Sequence, residues 1–166
     1  MVVTVKVVVL MGVSGSGKTT IGRGFAETTG WVFEEGDRWH PPANVEKMRR
    51  GEPLNDGDRW PWLDALAEAI GEWIAADRPT ILACSALKQV YRERLAQGRP
   101  EVAFAYLKGT QELVGSRVAS RRHEYMPSTL LPSQFATLEE PAKAIELDIG
   151  EPPARLISRL RSALGV

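Results

Sequence analysis

Gly12-Val13-Ser14-Gly15-Ser16-Gly17-Lys18-Thr19 decides the fold of this chain. Glycine, four residues, glycine, lysine and then serine or threonine is the P-loop spacing. Gly12, Gly15 and Gly17 let the main chain turn inward, so that its amides, with those of Ser14 and Ser16, face an anion. A helix opening at Lys18 adds its own free amides and the positive end of its dipole. The Lys18 ammonium can then reach the outer phosphates of a nucleotide. The Thr19 hydroxyl suits Mg²⁺, with Thr20 beside it in the first helical turn.

The flanks agree with that reading. Val2 to Leu10 is almost wholly β-branched, as expected of a parallel strand covered on both faces, and helical character runs from Lys18 to near Gly30. Further strands are expected at Trp31 to Glu34, Thr80 to Cys84, Val102 to Leu107 and Ala144 to Ile149. Helical patterns fall at Trp62 to Ile74, Ser85 to Ala96, Thr110 to Arg122 and Pro152 to Leu164. Only Gly51 to Asp58 and His123 to Pro132 have loop-like composition, which suits substrate and lid elements. The alternation predicts an α/β fold: a P-loop NTPase with a five-stranded parallel sheet, helices on both faces and a helical lid, like the nucleoside monophosphate kinases.

With 166 residues, one domain is expected over 1–166, its substrate-binding region at about 38–60 and its lid at about 117–135. Lysine plus arginine equals aspartate plus glutamate at 21 each, which disfavours a basic face for nucleic acid. Lys6 interrupts the apolar N-terminal run, no small-residue cleavage site follows it, and no apolar stretch approaches the roughly 18 residues of a membrane span. Cys84 is the single cysteine, so a reducing, cytoplasmic location is expected and a buried side chain is its ordinary role.

Glu35-Gly36-Asp37 follows the second strand, where two carboxylates one residue apart can both face the phosphate loop. One could hold a metal-bound water while the other takes the proton of an attacking hydroxyl. On spacing alone a solvated acidic turn is the alternative. No Asn-Lys-x-Asp motif for guanine occurs, and little length remains for a motor's coupling machinery, so a small-molecule kinase is favoured over a switch.

Together, these segments resemble the gluconokinases, small P-loop kinases related in fold to shikimate and adenylate kinases. The resemblance covers nearly the whole chain. It rests on Met11 to Lys18, on Gly36-Asp37 with His40-Pro41, Asn44 and Lys47-Met48, and on Pro53-Leu54-Asn55-Asp56 with Asp58-Arg59 and Pro61-Trp62-Leu63. It continues in Cys84-Ser85-Ala86-Leu87-Lys88 with Tyr91-Arg92, then Ser133-Gln134-Phe135 with Thr137-Leu138-Glu139. The resemblance implies ATP- and Mg²⁺-dependent phosphorylation of D-gluconate at its terminal hydroxyl, and often a homodimer.

For such an acceptor, Arg59, Lys88 and Arg92 supply cations, while Asp37, His40 and Ser85 offer hydrogen bonds to hydroxyls. Asp37 is the expected base, with Lys18 and Arg121 completing the catalytic set. Thr19 and, through water, Glu35 are the expected metal holders. Arg117 and Arg121, four apart, could lean over the phosphates from a lid, although they and Arg92 also fit solvated helix faces. Adenine is expected near Gly150 to Pro153, by fold analogy.

Two departures from the family pattern stand out. Glu35 replaces the usual aspartate, and His123-Glu124-Tyr125 stands where Gly-His-Phe is usual. Another small P-loop kinase, acting on a different sugar acid, a shikimate-like acid or a nucleotide, is the competing enzyme. A nucleotide-binding regulator without turnover is the competing class.

Overall fold

The structure, a computed structural model, describes residues 2–119 and 130–166. Five strands form one sheet: β1 (Val7–Met11), β2 (Val32–Glu35), β3 (Thr80–Ala83), β4 (Val102–Lys108) and β5 (Ile145–Asp148). All pairs are parallel, in the order β2-β3-β1-β4-β5. All five residues of β1 are buried, which requires cover on both faces and explains its unbroken Val-Val-Val-Leu-Met run.

The helices supply that cover. Helix α1 (Lys18–Thr29) packs on α7 (Pro153–Leu164) and on the sheet, whereas α3 (Asp56–Ala75) packs on α4 (Gln89–Ala96) and on β1. Among the described residues, no helix is long and apolar enough to cross a membrane.

Several boundaries differ from the expected ones. Strand β1 starts at Val7, and Val2 is 97% exposed, since β-branched residues beyond the sheet edge have nothing to pack on. Helix α3 starts at Asp56, inside the expected Gly51 to Asp58 loop, because Asn55 and Asp58 form a reciprocal capping box. Helix α4 starts only at Gln89; Ser85 to Lys88 remains extended or irregular as it leaves the sheet. Helix α2 (Pro42–Arg49) has no counterpart among the expected helices, whereas α6 (Leu131–Thr137) overlaps the end of the helical lid expected at about 117–135. Helix α5 (Gln111–Ala119) covers most of the predicted segment; its remainder, Ser120 to Arg122, and the His123-Glu124-Tyr125 that follows lie outside the described residues.

This topology brings three functional loops together. The segments after β1, β2 and β3 all leave the carboxyl ends of neighbouring parallel strands, the place where open α/β sheets bind ligands. Gly12 N–H donates to Ser85 O over 3.2 Å, stitching the first of these loops to the third.

Candidate active site

The phosphate loop joins β1 to α1 as the sequence predicts. Gly15 has φ 81°, and a Cβ there would meet Val118 Cγ2 at 2.3 Å, so both conformation and space demand glycine. Lys18 folds back along the loop, its ammonium donating to Gly12 O at 3.0 Å and Val13 O at 2.9 Å. Burial lowers its pKa, against the opposing pull of Asp37 and Glu35. Among the described residues, Ser16 Oγ is buried without a hydrogen-bond partner. A buried hydroxyl without a partner in the phosphate loop is suited to an incoming phosphate oxygen.

Thr19 Oγ1 donates to Glu35 Oε2 over 2.6 Å. One hydroxyl and one carboxylate, set together at the mouth of the phosphate loop, form an all-oxygen donor pair of the kind Mg²⁺ takes alongside phosphates and retained waters. Thr19 could ligate the ion directly and Glu35 through water. The extra methylene of Glu35 relative to aspartate does not stop it from reaching Thr19.

Asp37 sits in a single turn of 3₁₀ helix, Gly36–Trp39, directly after β2. Gly36 clamps that turn: a Cβ on it would meet Ala83 O at 2.5 Å, and its carbonyl accepts from Trp62 Nε1 over 2.8 Å. The Asp37 side chain keeps 44% exposure at the open side of the cleft, so an incoming hydroxyl can reach it. Protein packed around its other sides raises its pKa to about 6; Lys18 opposes this and Glu35 reinforces it.

His40 stacks on Trp62, with ring centroids 4.0 Å apart and planes 17° from parallel. Asn44 Nδ2 donates to Asp58 O at 2.8 Å and approaches His40 Nδ1 at 3.2 Å. That amide orientation makes Nδ1 the acceptor and leaves the ring proton on Nε2, which faces Asp37 Oδ1 at 4.0 Å. Burial, then the charge of Arg59, pushes the His40 pKa down to about 4, so the imidazole is neutral near pH 7.

Two recesses flank the phosphate loop. The first is lined by Ser14, Lys18, Asp37, His40, Arg59 and Ser85, with Leu130, Ser133 and Gln134 from the start of α6 closing it. The second is lined by Gly15, Ser16, Gly17, Thr20 and Arg117, with Ile149, Glu151 and Pro153 opposite. Arg117 Nη2 donates to Ile149 O over 2.6 Å. Lys18 lines the first recess, and Gly15, Ser16 and Gly17, just before it in the loop, line the second.

One sequence-based assignment requires correction. Arg92 is 3% exposed, and its guanidinium donates to Ala86 O, Leu87 O and Glu139 O at 2.7, 3.1 and 2.8 Å, so it braces main chain instead of meeting a substrate. Lys88 lines an adjoining recess and is engaged by Asp56 at 3.0 Å. Arg121 lies outside the described residues. Cys84 is buried, its thiol pushed up to about 12 by burial, as expected of an inert packing residue.

Sequence reasoning missed Trp62, Asn44 and Gln134 as parts of the site. All three lie in the motif segments quoted above, but an apolar residue or an amide within a helical pattern carries no chemical signal of its own.

A family model described as an AAA domain matches residues 7–142. The chain is 47% identical to a gluconokinase of Gluconobacter oxydans over 133 residues, covering 80% of this chain and 75% of that one. It also matches the crystal structure of a sugar kinase from a Janibacter species, at 48% identity and TM-score 0.91, over 98% and 95% of the two chains. A gluconokinase structure from Sinorhizobium meliloti matches at 42% identity and TM-score 0.82, over 95% and 90%. A shikimate kinase of Bacteroides thetaiotaomicron, 17% identical at TM-score 0.68 over 96% and 98%, shares the fold.

Proposed function

Because the chain belongs to the gluconokinase family, within the AAA-domain group, we propose that it transfers the γ-phosphoryl group of ATP to the terminal hydroxyl of D-gluconate, yielding 6-phosphogluconate and ADP. The observation that carries this reading is Asp37 and Arg59 lining one recess with Lys18 of the phosphate loop. It combines a base, a cation for an acid substrate and the phosphate-binding lysine within reach of one small molecule.

The proposed roles follow from chemistry. Gly12, Ser14, Gly15, Ser16, Gly17 and Thr20 belong to the nucleotide cradle, with Arg117 at its far side and Ile149 to Pro153 toward the base. The acceptor oxygen attacks the γ-phosphorus in line, the bond to the β,γ-bridging oxygen breaks, and Asp37 takes the hydroxyl proton. With a pKa near 6, Asp37 is mostly ionised at neutral pH yet remains basic enough to accept that proton. Lys18 offsets charge on the transferring group. His40 presents Nε2–H, and Ser85 its hydroxyl, to the sugar chain. Mg²⁺, when bound near Thr19 and Glu35, supplies further charge neutralisation on the phosphates. Arg121 would add to this from a lid spanning about 117–135.

The proposal also comprises one kinase domain, a cytoplasmic location and, from the family resemblance, a homodimer. ADP release measured with gluconate and a panel of stereoisomeric aldonates tests the reaction. Fast release with gluconate is expected; ATP binding with no acceptor-dependent release overturns it in favour of a nucleotide-binding regulator.

A further inference from the structure

Arg59 differs electrostatically from Lys47 and Lys88, its cationic neighbours at the edge of the cleft. Lys47 is neutralised by Asp58 at 2.7 Å and Lys88 by Asp56 at 3.0 Å. Among the described residues, no carboxylate oxygen lies within ion-pair distance of the Arg59 guanidinium, although Asp56 and Asp58 are on its own helical turn. Arg59 lines the acceptor recess, with Asp56 and Asp58 acting on its charge only from beyond ion-pair distance.

What holds it is a tyrosine. Arg59 Nη1 donates to Tyr91 Oη over 2.9 Å, with the guanidinium carbon 5.2 Å from the ring centroid. Tyr91 Oη in turn donates to Asp56 Oδ1 in a short hydrogen bond. The direction of this chain is fixed by proton count. A phenol has one proton, the ionised carboxylate has none to give, and the guanidinium can only donate. Lys88 completes the array by donating to both Asp56 oxygens, at 3.0 and 3.3 Å. Tyr91 itself is 1% exposed, so packing against the core sets its ring before any ligand arrives.

Resting on the functional reading above, we propose that Tyr91 is a positioning residue for acceptor specificity. Held by Asp56 and Lys88, it aims Arg59 at the carboxylate of the sugar acid. The acceptor then lies with its carboxylate at Arg59 and its far-end hydroxyl at Asp37. An acid group at one end thereby selects which hydroxyl is phosphorylated.

Tyr91→Phe keeps the packed ring and removes the relay. The KM for gluconate is expected to rise about tenfold, the loss of one hydrogen bond that orients a charged partner, while kcat and the KM for ATP stay within about twofold. The inhibition constant of glucitol, the same hydroxyl chain without the carboxylate, should not change. In an Arg59→Ala background, Tyr91→Phe should add nothing further. An unchanged gluconate KM, or a glucitol constant that weakens equally, overturns the inference. Asp56→Ala, which removes the acceptor of the Tyr91 hydroxyl, gives the same readout if Tyr91→Phe proves unstable. Wild-type protein inert toward gluconate overturns the functional reading and this inference with it, whereas an active wild type with an indifferent Tyr91→Phe overturns the inference alone.

Discussion

The main-chain N–H of Ser14 donates to the Gln134 side-chain oxygen over 2.7 Å, bridging 120 residues of sequence. It ties helix α6, which closes the acceptor recess, directly to the phosphate loop. Gln134→Ala should cost about 1 kcal/mol in urea unfolding and raise the KM for gluconate, since Leu130 and Ser133 on the same segment line that recess. An unchanged KM would mean that α6 keeps its position without the bond.

Asp37 should govern the pH dependence. Its pKa is raised to about 6, and only the ionised form accepts a proton, so kcat/KM should climb as pH rises through about 6 and then level off. Asp37→Asn should lower kcat by about 10² to 10⁴ while binding of an ATP analogue persists. A flat profile between pH 5 and 8 in the wild type would remove Asp37 as the base.

The Thr19–Glu35 pair makes a separate prediction about metal. Glu35→Gln retains an acceptor for the Thr19 hydroxyl but loses the charge. The Mg²⁺ concentration for half-maximal ADP release should rise by roughly 10-fold or more. Equal Mg²⁺ titrations for both proteins would exclude Glu35 from the metal site.

For Arg92, the expectation is loss of stability with little effect on substrate affinity. Arg92→Ala strands three carbonyls of the loop after β3 and of residue 139, costing about 3 kcal/mol in chemical denaturation. Arg92→Lys should rescue it only partly, lacking the planar fork. A large rise in gluconate KM with full stability would restore a substrate role.

How far each feature was legible depends on the range of the forces that make it. The phosphate loop and the strand cores were readable because glycine spacing and β-branched runs act locally. The β2 turn was readable for its acidic pair, though its glycine clamp needed Ala83 from another strand. Arg92 was misread because its acceptors are main-chain carbonyls, which have no letter in the sequence and meet it only after folding. The Lys88 ion pair was not readable for a related reason: its counter-ion, Asp56, is 32 residues away. Helix α2 was missed because its Asn, Glu, Lys and Arg residues dilute the apolar period, and only Asn44 and Met48 are buried. Pattern alone could not separate Arg59 from its cationic neighbours either, since what distinguishes it is the pairing of the others.

The Trp62 indole, pinned through Nε1 to Gly36 and lying flat on His40, also gives the protein an intrinsic fluorophore in the wall of the acceptor recess. Seating a sugar acid there alters the polarity the ring senses. Emission can therefore follow acceptor docking in real time, without a dye and before any phosphate moves, with Trp62→Phe supplying the blank that removes the other four tryptophans.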